Sequence, residues 1–416
     1  MVYLINSGKP LNRLRVGLII LFFAGIVLAF SGLVWGNFSL WEKIGSYPND
    51  FSIGYQAARD WLLNGISPYD STVVQNHADR MGLANTTGSQ YQYPVYAIIL
   101  WVPFALMDFP AAQALWSVAQ ELILMITILL AIRLSGWKLQ WHQLAIVLFI
   151  VFIWPSHVFA LLDSGLAIWS LFFIVFALYM LINKQDNAAG LLMAMAMVKP
   201  EMALLPLVGL IMWSSSSRRN GFLGGFVAGF LFLNVLFMIL IPDWVLQWLR
   251  ISHLLDGTTS WYQSGLNLIA DSMPGIRQFL MIALNGGMFI YLVAEWARMM
   301  GKPERMMLWT MALTLMAVGL ISFDRGLDYH TALLPGYFLV FRILQERWGK
   351  LGTWMIIGFV IILFVGPWVL VGINETNIHL LVLLLPAFCW LLLGWFKWWA
   401  IRSTRLLISY EEELDL

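Results

Sequence analysis

Asp50 stands just after Pro48-Asn49, at the head of a stretch from Asn49 to Gly65 in which Phe51, Tyr55, Ala58 and Leu62 recur at helical spacing and share one face. A carboxylate in that place has two uses. As an N-cap it accepts from the free N–H groups of the first turn; as a general base it takes a hydroxyl proton, and capping makes it a weaker base. The residues alone leave both uses open. Lys199 lies inside an apolar run directly before Pro200, where a lysine either snorkels to the interface or serves a function. Asp324, Arg325, Asp328 and His330 crowd one short polar stretch, and His157 and Asp163 sit near another helix end. Lys199, Arg325 and His330 are the cationic or ionisable groups in or beside these apolar runs. Asp50, Asp324, Asp328 and His330 form an oxygen-rich set that would also suit Mg²⁺ or Mn²⁺, but their spacing follows no metal motif, and no metal or cofactor is expected.

The elements that must position these residues are set by composition. The chain has 416 residues, 60% hydrophobic and 11% charged, against about 45–50% and 25% in a soluble domain. With 22 Trp suited to the headgroup boundary, this is an all-α, multi-pass membrane protein with membrane lipids as its surroundings. A net charge of +1 and the lack of a long basic run exclude nucleic acid as a partner. The single cysteine, Cys389, permits neither an intramolecular disulfide nor a cysteine-based metal site.

Val16–Trp35 follows Lys9, Arg13 and Arg15 and reads as a retained anchor, since no small-residue cleavage site follows closely. Further apolar runs lie near 94–107, 110–134, 142–162, 165–183, 188–213, 220–241, 276–297, 306–322, 331–345, 351–371 and 379–400. Two polar segments, 36–92 and 242–275, interrupt them. Two topologies fit, and the positive-inside bias selects the one that puts most of the 24 lysines and arginines in the cytoplasm. In it, 94–107 lies along the outer surface, and 188–213 is a helical hairpin bent at Lys199-Pro200, where proline disfavours helix in the preceding residue. The result is one membrane domain, 1–416, of about 12 transmembrane segments. Both polar segments face the extracytoplasmic side as loops, the first carrying the amphipathic helix, and 401–416 is a cytoplasmic tail.

Read in order, Asp50-Phe51, Tyr55-x-Ala57-Ala58-Arg59, Gly65-x-Ser67-Pro68-Tyr69 and Tyr93-Pro94 resemble the first outer loop of family 87 of the GT-C glycosyltransferases. The resemblance continues through Lys199-Pro200-Glu201 and through His330 before Leu333-Leu334-Pro335, spanning about residues 16–345. Two places depart: Tyr93-Pro94-Val95 where many members have Tyr-Pro-Pro, and Gly165-Leu166 where many have Gly-Gln. The resemblance implies a GT-C-like bundle with extracytoplasmic loop helices and a metal-independent transfer. The sugar it implies, mannose, would pass from a polyprenyl-phosphate donor to a lipid or glycan acceptor. It assigns the base to Asp50, and direct attack by the acceptor would invert the anomeric centre. Donor phosphate falls to Lys199, Arg325 and His330, and the substrate cavity to Tyr55, Arg59, Tyr93, His157, Asp163 and Asp328. The expected location is a bacterial plasma membrane, with the site on its extracytoplasmic face. A transporter or lipid flippase is the rival; it should show internal symmetry, and the two polar segments differ greatly in length.

Overall fold

The computed structural model describes residues 31–43, 49–82, 90–255, 265–321, 327–373 and 378–402. Asp324, Arg325 and the tail beyond residue 402 lie outside the described residues, as do most of the first apolar run and parts of both polar segments. All regular structure among the described residues is helical. Residues 31–43 are helical (α1), and two helices of the first polar segment follow, α2 (Asp50–Asn64) and α3 (Ser71–Met81). The run 94–107 yields only a 3₁₀ turn, Val95–Leu100, and the four-residue α4 (Val102–Ala105). Neither approaches the roughly 20 residues that a crossing needs, in keeping with a surface segment.

The main bundle begins with α5 (Phe109–Ser135), α6 (Trp141–Phe152), α7 (Pro155–Asp163) and α8 (Ala167–Ile182). It continues through α9 (Asp186–Ala196), α10 (Pro200–Ser216) and α11 (Asn220–Leu240). Beyond the second polar segment's α12 (Trp244–Leu255) and α13 (Gly265–Asp271) come α14 (Arg277–Met299), α15 (Glu304–Ile321), α16 (Leu334–Val360), α17 (Gly366–Ile373) and α18 (Ile378–Arg402). Six helical stretches among the described residues are long and apolar enough to cross a membrane, or seven if α6 and α7 count as one span. That pair is bent by 57° at Ile153-Trp154-Pro155, where the expected run 142–162 was continuous. Proline at the start of α7 removes a ladder N–H and supplies the break. One of the six, Leu327–Ile373, holds 47 residues, roughly 70 Å of straight helix against a ~30 Å hydrocarbon core. It is interrupted at Gly349, whose φ of 49° and ψ of −117° are open to glycine and not to helix. Gly352 then lies so close to the Leu344 carbonyl that a Cβ there would sit 2.0 Å from it, so the chain doubles back into the separate runs 331–345 and 351–371 expected from sequence.

The run 188–213 is the hairpin that Lys199-Pro200 suggested. Gly225 abuts Asn187, Gly190 abuts Phe222 and Phe226, and Gly229 abuts Leu191 and Ala194, so α9 and α11 run side by side in the same direction. α10 must therefore return between them. Its far end closes on the start of α9, where the Arg219 guanidinium donates to the Asp186 carboxylate and, at 2.9 Å, to Glu304. The tip is Lys199, with Pro200 opening α10 and Lys199 itself non-helical at φ −127°, ψ 82°. Apolar side chains left exposed along α11, Phe232 and Ile239 among them, make a surface suited to lipid.

Candidate functional site

The helix boundary bears on the capping half of the Asp50 reading. Asn49 is the N-cap of α2: its side-chain oxygen accepts from the Ser52 N–H at 2.9 Å, and Ser52 Oγ accepts from the Asn49 N–H at 3.1 Å. Asp50 is the first helical residue, one position past the N-cap. Its carboxylate accepts a hydrogen bond from the Tyr93 hydroxyl. The Asn49 amide also reaches the Leu162 carbonyl at 3.4 Å, which sets the start of α2 beside the end of α7.

There Asp163 enters. A Cβ on Gly165 would lie 2.8 Å from Asp50 Oδ2, 3.1 Å from Asp163 Oδ2 and 3.3 Å from the Tyr93 hydroxyl. The two carboxylates are thus within about 6 Å of each other, around a space that glycine keeps open. α5 holds this turn: Trp116 donates to the Ser164 carbonyl at 2.9 Å, Gln113 to Ser164 Oγ at 3.2 Å and Gln120 to the Gly165 carbonyl at 2.7 Å. Burial, and after it the charges of Asp50 and Asp163, hold the Tyr93 phenol well above its usual range, so it stays protonated and donates.

A second cluster adjoins the first. Lys199 Nζ donates to Asp328 Oδ2 at 2.8 Å and stands 4.2 Å from the centre of the Tyr329 ring. Both members of the pair are nearly excluded from solvent, 3% and 6% exposed, so Lys199 is a paired buried ammonium and not a snorkelling one. The Tyr329 hydroxyl donates to Glu201 at 3.0 Å, and the Glu201 charge reaches Tyr93 as well, which links the two clusters. Tyr96 fixes the hairpin tip from outside by donating to the Met197 carbonyl at 2.8 Å.

Of the residues expected at a site, Asp50, Tyr93 and Asp163 converge, and Lys199 and Asp328 pair beside them. His330 occupies the same 3₁₀ turn as Asp328, fully buried, with its ring against Gly319 of α15. His157 is also fully buried, bonded to the Val151 carbonyl and edge-on to Trp154. Tyr55 and Arg59 pin α2 to the α4 turn, the phenol donating to the Met107 carbonyl at 2.7 Å and the guanidinium to the Ala105 carbonyl at 2.8 Å. The two polar segments meet, since Ser67 donates to Gln247 at 2.7 Å and Trp248 to the Gln92 carbonyl at 2.9 Å. Sequence reasoning missed Gln113, Trp116 and Gln120, which are polar groups scattered through an apolar helix; that scatter was the available signal.

The described residues thus form a helical bundle, with helices long and apolar enough to cross a membrane, that carries paired carboxylates beside a buried lysine and next to polar loop helices. The sequence profile of glycosyltransferase family 87 matches residues 91–323, more than half of the chain, and the chain belongs to that family. The matched stretch includes Tyr93, His157, Asp163 and Lys199; Asp50, Asp328 and His330 fall outside it. No curated protein and no solved structure matches the chain.

Proposed function

We propose that this glycosyltransferase has a GT-C-type mechanism. It moves a sugar, mannose in this reading, from a polyprenyl-phosphate donor to a lipid or glycan acceptor on the outer face of a bacterial plasma membrane. The observation that carries this reading is the placement of Asp50: one position past the Asn49 cap, oriented by Tyr93, and set beside Asp163 across the open space at Gly165. In the reaction the acceptor hydroxyl gives its proton to Asp50 while its oxygen attacks the anomeric carbon. The bond from that carbon to the donor phosphate breaks, the phosphate leaves with the electron pair, and the centre inverts. Phosphate is a good leaving group, so one base suffices, unlike the two carboxyls of glycoside hydrolysis.

Lys199 and Arg325 meet the departing phosphate, with His330 in the neighbouring turn. The pair with Asp328 keeps the Lys199 ammonium charged and in place before the donor arrives. Cation placement supports an outward-facing site. Arg219, Lys184, Arg342 and Lys397 bond groups at the end of the bundle remote from Lys199, as the positive-inside bias expects of a cytoplasmic end. The test is to incubate the purified protein in lipid with a panel of polyprenyl-phosphate sugars and to follow donor loss and product. Consumption of none of the donors refutes the reading, and movement of intact donor across the bilayer favours a flippase.

A further inference from the structure

A second polar site lies in the first outer loop, apart from Asp50. Between α2 and α3 is a cavity of about 450 Å³, within the range of small-ligand sites. α2 contributes Arg59, Asp60 and Asn64 to its wall, and α3 contributes Asn76, Asp79 and Arg80. Asp60 is only 3% exposed, an expensive position for a carboxylate unless it is well bonded. It accepts from Gln56 at 2.8 Å, from Asn76 at 2.9 Å and from Asn64 at 3.3 Å. Gln56 in turn accepts from Arg80 Nε at 2.7 Å, and the Arg80 guanidinium lies 5.4 Å from the centre of the Tyr55 ring.

This network engages Asn64, Asn76 and Arg80 with one part of their hydrogen-bonding capacity and leaves another part unused. The amides of Asn64 and Asn76 are committed as donors to Asp60, so their carbonyl oxygens remain as acceptors. Arg80 commits Nε, so its two terminal nitrogens remain as donors. Two arginines and two aspartates balance the charge of the wall. A phosphate would need an excess of cations and a metal ion an excess of carboxylates. A ring of hydroxyl groups, each both donor and acceptor, needs what is present: donors and acceptors side by side with no net charge.

We propose that this cavity binds a neutral saccharide, and that it is a subsite for the acceptor. The assignment to the acceptor rests on the transferase reading above. Asp60 follows Asp50 by ten residues on one helix, roughly 15 Å along its axis, so a sugar held here is not the one that reacts. The acceptor is accordingly a glycan or glycolipid headgroup of more than one sugar unit.

The test uses the full-length protein in lipid nanodiscs and saturation-transfer NMR. The probes are neutral di- and trisaccharides of mannose, glucose, galactose and N-acetylglucosamine, with inorganic phosphate as the anionic comparison. At least one saccharide should bind, and Arg80→Ala and Asn76→Ala should each weaken it about tenfold or more, the loss expected when bound hydroxyls lose a committed partner. Asp79→Ala, at an exposed position, gives a third variant in which folding is not in question. Binding of no saccharide in the panel, a preference for phosphate, or wild-type binding in all three variants overturns the subsite. Donor turnover in the same preparations reads the transferase separately: turnover without saccharide binding sinks only this inference, and no turnover sinks the reading beneath it.

Discussion

Asp50→Asn separates chemistry from structure because Asn49, not Asp50, caps α2. The substitution keeps shape and leaves an oxygen to accept from Tyr93. Its structural cost has two parts. A negative charge in the first turn contributes about 0.3–1 kcal/mol through the helix dipole, and a hydrogen bond to a neutral instead of a charged acceptor loses about 1 kcal/mol. The sum stays below about 2 kcal/mol. Loss of a general base slows the step by about 10²–10⁴-fold, which is about 3–5 kcal/mol of barrier. The rate should therefore fall steeply while thermal unfolding and donor affinity change little. The assay is product formation from radiolabelled donor at saturating concentration, beside a melting curve and a donor titration. Asp243→Asn, an exposed carboxylate just before α12 and outside both clusters, is the matched control. Asp60→Asn, which the shared helix would suggest, is unsuitable because Asp60 is buried under three amide donors. An Asp50→Asn protein that transfers sugar at the wild-type rate refutes the argument and moves the search to Asp163.

Gly165→Ala puts a methyl 2.8 Å from Asp50 Oδ2, so activity should drop well before the melting temperature does; equal activity would mean that the space at Gly165 is not used. Lys199→Met strands Asp328 in the interior and should destabilise the fold by about 3–5 kcal/mol. Adding Asp328→Leu should restore most of that stability without restoring donor binding, and recovery of donor affinity in the double variant would remove Lys199 from the phosphate site. His77, on Ser52 Oγ at 2.8 Å, has its pKa pushed down to about 4 by burial and then by Arg80, against 6.5 for a free imidazole. It is neutral when folded, and the unfolded chain binds the extra proton between pH 6.5 and 4. Its contribution is thus complete above pH 6.5 and is lost as pH falls towards 4. Melting curves over that range should be flatter for His77→Gln; an unchanged slope refutes the assignment.

Much of the bundle was legible because apolar runs of fixed length and their punctuation are local. Gly65 and Gly136 end α2 and α5 in the left-handed conformation, and Lys199-Pro200 marks the tip of a hairpin from backbone sterics alone. The face formed by Phe51, Tyr55 and Ala58 is buried as its spacing predicts, whereas Leu62 at the end of the same row is 42% exposed. What escaped was set by contacts distant in sequence. Asn49 and Asp50 are both good caps by type, and the choice between them depends on Leu162 and Tyr93. Asp163 gained its place only when the α7–α8 turn brought it to Gly165, and the burial of Asp60 depends on Asn76 of α3, which sequence spacing alone does not place beside it.

The hairpin also has an order of assembly written into it. Its base closes between Asp186 and Arg219, 33 residues apart, whereas its tip is neutralised by Asp328, 129 residues after Lys199. At roughly 5–20 residues per second, a ribosome takes about ten seconds to supply that partner. Throughout the interval a nascent chain holds an ammonium at the point of an apolar hairpin with its counter-ion not yet made. A chain truncated before that segment lacks the Asp328 carboxylate at the hairpin tip, and its α9 and α10 should partition into lipid less readily than those of the full chain.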